Sequence, residues 1–328
     1  LLAASPAPPQ KRTRMHTKTN PTQDLLPAGV WPTMLTPFDA AGEIDWPALD
    51  ALVDWYIGTG AAGLFAVCLS SEMYELTAEE RLQLAARVAE RASDRVPVVA
   101  AGAFGDAPAE QAEMAAKLYD TGVAAVILTV NQLAKAPDSE DVWRERATAI
   151  FDACGDIPLG LYECPQPYHR TLSAETLGWA AATGRVRFYK DTCCDLPAIH
   201  AKLAAIEGTP LTWFNAHAPT LLASLREGGG GYSSVAANFI PELYVWLCQH
   251  HAHHPKVAEE LQGFLADAQA TAGRKYMRNA KHYLQRLGVP IQTHCRVECP
   301  ELTDEDLHNL DTLRDAATRR RITLHQYV

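Results

Sequence analysis

The chain has 328 residues, 48% hydrophobic and 21% charged, with 29 Lys and Arg against 39 Asp and Glu. That length buries a full core without disulfide or metal staples, and the apolar content excludes disorder for most of the chain. A net charge of −10 argues against a nucleic-acid or anionic-membrane surface, and no run reaches the ~18 apolar residues of a membrane helix.

Residues 1–26 read as a disordered tail rich in Pro, Ser, Thr, Lys and Arg, with no acidic residue before Asp24. A natural start at Met15, or a basic transit peptide, fits the same composition. From Gly29 the pattern changes. Short apolar runs alternate with amphipathic stretches: Gly29–Phe38 then Trp46–Gly58, Gly63–Leu69 then Ala78–Arg91, Pro97–Phe104 then Ala107–Tyr119, and Ala124–Val130 then Ser139–Ala153. Four more pairs follow: Pro158–Pro165 with Ala174–Ala182, Val186–Thr192 with Leu196–Ile206, Leu211–Asn215 with Pro219–Arg226, and Gly231–Asn238 with Pro241–His250. The runs are rich in Val, Ile, Leu, Phe and Tyr, which is the strand signal. The stretches begin at caps such as Thr77 before Glu79 and Glu80, and Ser173 before Glu175.

Apolar strands alternating with helices imply a parallel sheet covered by helices. Eight units fit a closed (β/α)8 TIM barrel over 27–254 better than an open doubly wound sheet, whose Gly-rich fingerprint is missing after the first run. Beyond His254 the alternation stops. Lys256–Gly273, Arg278–Gly288 and Thr303–Arg319 read as a C-terminal helical extension over 255–328.

In a barrel the chemistry sits at the C-terminal strand ends. Three such ends stand out: Cys68-Leu69-Ser70-Ser71-Glu72, Leu161-Tyr162-Glu163-Cys164-Pro165 and Phe188-Tyr189-Lys190-Asp191-Thr192. Burial disfavours a charged Lys190, lowers its pKa and frees a neutral amine to attack a carbonyl. An ion pair with Asp191 or Glu163 is the competing reading. Tyr162, on the neighbouring strand, is placed to move protons; the alternative is a rim Tyr bonded to a carbonyl. Ser70 and Ser71 offer hydroxyl and N–H donors to a carboxylate, or form an ordinary turn.

Other features read as structural. Gly228–Gly231 precedes the eighth run and is a helix stop rather than a phosphate loop. His250, His251, His253 and His254 mark a solvated helix end, and Cys295 and Cys299 lack a second ligand pair for zinc. Cys193 and Cys194 read as wall residues of the sixth strand end. Eight cysteines in a chain this long do not make a disulfide scaffold, and the expected compartment is a reducing cytoplasm.

These residues carry a resemblance to the dihydrodipicolinate synthase/N-acetylneuraminate lyase superfamily, class I Schiff-base aldolases and lyases. Thr36-Pro37-Phe38 matches the opening T-P-F, Gly63 to Glu72 the G-T-T-G-E region, and Tyr162-x-x-Pro165 the Y-N-x-P motif. Lys190 matches the Schiff-base lysine, and Ser234-Val235-Ala236-Ala237-Asn238 the S-V-x-A-N of the eighth strand. The resemblance implies Lys190 as nucleophile on a pyruvate-type 2-oxo acid, Tyr162 as general acid/base, Ser70 and Ser71 on the substrate carboxylate, no metal or organic cofactor, and a homotetramer built as a dimer of dimers. Several positions depart from the family. Leu69 replaces the first Thr of the T-T pair, and Ser71 replaces a Gly. Val130-Asn131-Gln132-Leu133 replaces P-P-Y-Y, removing the relay Tyr that a neighbouring subunit contributes. Pro167 stands near the synthase Arg position, and Asn215-Ala216-His217 replaces G-D-D. Asn131, Gln132, Asn215, His217 and Ser233 together suggest a hydrogen-bonding pocket for a hydroxylated 2-oxo acid such as a 2-keto-3-deoxy sugar acid. Dihydrodipicolinate synthase proper, and a non-catalytic 2-oxo-acid-binding paralogue, are the alternatives.

Overall fold

The computed structural model describes residues 25–327; most of the tail expected over 1–26 lies outside them. Eight strands alternate with eight helices: β1 Gly29–Val30, α1 Trp46–Gly58, β2 Leu64–Phe65, α2 Ala78–Ala92, β3 Val98–Ala100, α3 Pro108–Tyr119, β4 Ala125–Thr129 and α4 Glu140–Ala153. The second half continues with β5 Leu159–Tyr162, α5 Ala174–Ala182, β6 Val186–Asp191, α6 Leu196–Ala205, β7 Thr212–Asn215, α7 Leu221–Arg226, β8 Gly231–Tyr232 and α8 Pro241–His250. All pairings are parallel, in the order β1-β8-β7-β6-β5-β4-β3-β2. The sheet is curled, and backbone hydrogen bonds run between residues beside its two outermost strands. The Ala62 amide donates to the Val30 carbonyl (2.9 Å), Phe65 to Pro32 (3.1 Å) and Met34 to Phe65 (3.0 Å).

Each strand is shorter than its apolar run, the first, second and eighth ending after two residues. In Gly29–Phe38 two residues form the strand, and Thr33 adds one isolated parallel bridge to Phe65. Pro32 and Pro37 supply no N–H there, so the run continues as irregular backbone. The second and eighth runs turn at their C-terminal ends into 3-10 turns, Leu69–Ser71 and Val235–Asn238. The helices keep close to their expected bounds because their caps are real. The Thr77 hydroxyl accepts from the Glu80 amide while the Glu80 carboxylate accepts from the Thr77 amide.

The interior of the curled sheet is aromatic. Trp31 packs edge-on to Phe188 (5.4 Å), Phe188 stacks on Phe214 (4.6 Å), and Phe65 meets Phe188 (5.7 Å). Gly63 makes room for this floor, since a Cβ there would lie 2.4 Å from the Trp31 ring. The tetraglycine serves packing too. Gly231 sits at φ +149°, where a Cβ would fall 1.9 Å from the Gly29 carbonyl oxygen, so only glycine lets β8 approach β1.

Helices α9 Pro255–Ala272, α10 Arg278–Arg286 and α11 Asp304–Leu324 form the C-terminal extension. It is fastened to loops at the strand ends. Gln262 Nε2 donates to the Ala218 carbonyl (2.7 Å), and Gln269 Oε1 accepts from the Ala218 amide (2.5 Å). Lys281 forms a fully buried ion pair with Glu72 (2.8 Å). His250 and His254 pack near Trp246 (5.3 and 6.1 Å), and among the described residues no cluster of His, Cys, Asp or Glu is arranged to hold a metal. No helix among them is long and apolar enough to cross a membrane.

Candidate active site

Strand register places the central pair. Thr129 of β4 pairs with Tyr162 of β5, Tyr162 with Lys190 of β6, and Lys190 with Phe214 of β7. Residues paired across parallel strands share a face, and successive residues alternate. Tyr162 and Lys190 therefore point together into the curled sheet, with the Lys190 Nζ 4.2 Å from the Tyr162 ring centroid and 5.9 Å from that of Phe65. The next residues, Glu163 and Asp191, point the other way, toward α6. There Lys202 meets both, Nζ lying 2.7 Å from Glu163 and 2.6 Å from Asp191, all three side chains at most 2% exposed. Tyr189 also donates to Glu163, as do the amides of Leu172 (2.9 Å) and Thr192 (2.8 Å).

The carboxylates that competed for Lys190 are thus paired with Lys202. Lys190 is 5% exposed, and the ionisable side chains nearest it are the thiols of Cys68 and Cys164, not a carboxylate. Burial pulls its amine down from 10.5 to about 8, so a substantial neutral fraction exists near neutrality. Lys202, held between two carboxylates, is instead raised to about 12. Burial holds the Tyr162 phenol well above its ordinary value, so it is a proton donor at rest.

The other expected residues divide into two groups. Ser70 is buried and donates to Thr33 Oγ1 (3.1 Å), with Tyr276 of the extension beside both. Ser233 is buried with no partner on its hydroxyl, as is Thr129 next to Tyr162. Gln132 lies at the Tyr74 hydroxyl. By contrast, the Ser71 hydroxyl is tied to its own loop, between the carbonyls of Met34 (2.8 Å) and Ala66 (2.5 Å), while accepting from the Cys68 amide. Asn215 braces the β7 loop. Its amide donates to Thr220 and Ser224 (3.0 Å each), and its carbonyl accepts from the His217 amide (2.7 Å). His217 contacts Thr220 through Nδ1 (3.2 Å) and is half-buried, which lowers its pKa. Asn131 donates to the carbonyls of Cys164 (2.8 Å), Gln166 (2.7 Å) and Tyr168 (2.8 Å), clamping the loop after β5.

Sequence reasoning did not single out Thr129, Tyr74, Tyr276 or the two thiols as site residues. Thr129 was findable from the strand-end rule. Tyr276 carried no signal, since it lies between two helices of the extension. Asn238, the last residue of the S-V-A-A-N segment, brings it in by donating to Tyr276 Oη (2.8 Å) and to the Thr33 carbonyl (2.9 Å).

A buried lysine with no carboxylate partner, beside a tyrosine at parallel-strand ends, has the groups that Schiff-base chemistry requires. The sequence profile of the dihydrodipicolinate synthetase family matches residues 26–317, and the chain belongs to that family of class I lyases. A 4-hydroxy-tetrahydrodipicolinate synthase of Shewanella sp. strain ANA-3 is 27% identical over 294 residues, 88% of this chain and 96% of the relative. One from Ruegeria pomeroyi is 32% identical over 215 residues, 66% and 72%. Among solved structures, the Acinetobacter baumannii dihydrodipicolinate synthase complexed with pyruvate superposes with a TM-score of 0.79 at 24% identity, covering 89% of this chain and 99% of that one. The YagE prophage protein of E. coli K12, also in complex with pyruvate, gives 0.79 at 22% identity over 89% and 98%.

Proposed function

We propose that the protein is a closed (β/α)8 barrel in which Lys190 forms a Schiff base with a hydroxylated 2-oxo acid, of the 2-keto-3-deoxy sugar acid class, for aldol cleavage or dehydration. The observation that carries the nucleophile is the unpaired, buried Lys190 amine 4.2 Å from the Tyr162 ring. The neutral amine adds to the C2 carbonyl, Tyr162 protonates the oxygen that leaves as water, and the iminium nitrogen becomes the electron sink. Because the iminium is itself the sink, the reaction needs no metal or organic cofactor. Ser70 is the hydroxyl best placed for the substrate carboxylate. The unpartnered hydroxyls of Ser233 and Thr129 favour a substrate that brings hydroxyls of its own, since an unmatched buried donor is costly. The hydrogen bonds joining residues 30–34 to 62–65 support barrel closure.

Dihydrodipicolinate synthesis is the second reading, favoured by the activity for which the sequence relatives are named. The homotetramer is proposed on family membership and is checked by light scattering. The eight free thiols suit a reducing cytoplasm. Incubation with pyruvate or longer 2-oxo acids, borohydride reduction and intact mass should give one adduct that Lys190→Ala abolishes. An absent adduct with every acid refutes the catalytic reading and leaves the binding-only paralogue. With an adduct in hand, release of pyruvate from a 2-keto-3-deoxy sugar acid separates the aldolase from the synthase, which instead consumes pyruvate with an aldehyde partner.

A further inference from the structure

Tyr162 is 2% exposed, yet its proposed role requires it to give up and regain a proton at every turnover. A fully buried phenol needs a route to solvent. Its hydroxyl lies beside one group that both donates and accepts protons and also leads outward, the Cys164 thiol. Cys164 Sγ lies 3.9 Å from the Tyr74 hydroxyl. Tyr74 is half-buried, at the edge of the site, its ring stacked on Phe104 (5.3 Å) and its hydroxyl donating to the Gln166 carbonyl (2.8 Å). The other nearby thiol, Cys68, leads inward, toward the Met34 carbonyl (3.8 Å) and the Ser71 hydroxyl (3.4 Å).

We infer that Cys164 and Tyr74 form a proton relay that connects the buried Tyr162 hydroxyl to solvent within a single subunit. The proposal rests on the Schiff-base reading of Lys190. As the amine adds to the carbonyl, the N–C bond forms and the C=O electron pair moves to oxygen. Tyr162 gives its O–H proton to that oxygen and takes the S–H proton of Cys164. Cys164 takes the O–H proton of Tyr74, which is replaced from water. Formation of the iminium therefore takes up one solvent proton and releases one water. Removal of a C3 proton to give the enamine runs the chain in reverse.

Burial keeps Cys164 a protonated thiol, which suits a carrier that must hold a proton at rest. The relay residues touch no substrate and act through Tyr162. Their positions are fixed by the Asn131 amide, which grips the backbone carbonyls of Cys164 and Gln166.

The test uses the full-length protein with pyruvate in D2O. Deuterium entry into the pyruvate methyl group, followed by proton NMR, reports the iminium–enamine proton transfer without needing the second substrate. Cys164→Ala and Tyr74→Phe should each slow exchange by about tenfold or more, the low side of what a positioned proton carrier contributes. Cys164→Ser should stay within about threefold of the parent, because a hydroxyl also relays protons. All three should reach the parent's end-point yield of borohydride-trapped adduct. Exchange at the parental rate in Cys164→Ala overturns the relay while leaving the Schiff base intact. Equal loss in Cys164→Ser and Cys164→Ala also overturns it, since packing would then account for both. Parent protein that traps no 2-oxo acid overturns the Schiff-base reading, and the relay falls with it.

Discussion

Replacing Lys190 by Met should make the protein more stable while abolishing the adduct. The native amine titrates near 8 against 10.5 for an unburied lysine. At roughly 1.4 kcal/mol per tenfold, holding that ammonium in the aromatic interior costs about 3 kcal/mol. The pH dependence follows from the same numbers. Below pH 8 both folded and unfolded states are protonated and the full cost is present. Between about 8 and 10.5 the unfolded chain binds more protons than the native one, so native stability rises with pH. Above 10.5 both are neutral and the cost is gone. Methionine fills similar volume with no charge, so the Lys190→Met advantage should approach 3 kcal/mol at pH 7 and vanish near pH 10.5. Urea unfolding of both proteins at pH 7 and pH 10 measures it. Equal stability at pH 7, or a gap that does not shrink with pH, refutes the claim that Lys190 is held unpaired in a desolvated site.

Lys202→Met strands Glu163 and Asp191 together without a cation; it should cost about 3–5 kcal/mol in urea unfolding, and adding Glu163→Gln should recover part of that. The rate of adduct trapping should rise with pH through about 8 and level off above it as Lys190 loses its proton, read from borohydride-quenched time courses. Tyr162→Phe should keep the adduct but slow its formation by about 10²-fold or more, seen in the same time courses. Lys281→Met should leave Glu72 buried without its cation and loosen the extension, so limited proteolysis should release residues beyond α9 faster than in the parent.

The helices were legible because their caps and periodicity are local. The pairing of Tyr162 with Lys190 was legible because strand alternation is local too, and consecutive strands of a βα series are neighbours. What escaped was the partner of each polar side chain. Ser71 and Asn215 have the residue types of a binding site, but their bonds go to Met34, Ala66, Thr220 and Ser224. A hydroxyl or amide reads the same in sequence whether it meets a ligand or its own backbone. Lys202 stands 39 residues from Glu163, on a helix that shows nothing unusual apart from one lysine among apolar neighbours. Its significance emerges only when α6 is laid over the ends of β5 and β6.

That placement decides which lysine is left without a carboxylate partner. A carboxylate about 4 Å from an amine is worth ~4 kcal/mol at an effective dielectric near 20. This exceeds the roughly 3 kcal/mol by which burial favours the neutral form of Lys190. Had Glu163 or Asp191 turned inward, Lys190 would be an ordinary ammonium and a poor nucleophile. The two-residue period of the strands prevents it, because Tyr162 and Lys190 face the interior only if Glu163 and Asp191 face α6. Two carboxylates buried there are tolerable only with a cation between them, which Lys202 supplies. The lowered pKa of the inner lysine and the raised pKa of the outer one are therefore consequences of the same strand register.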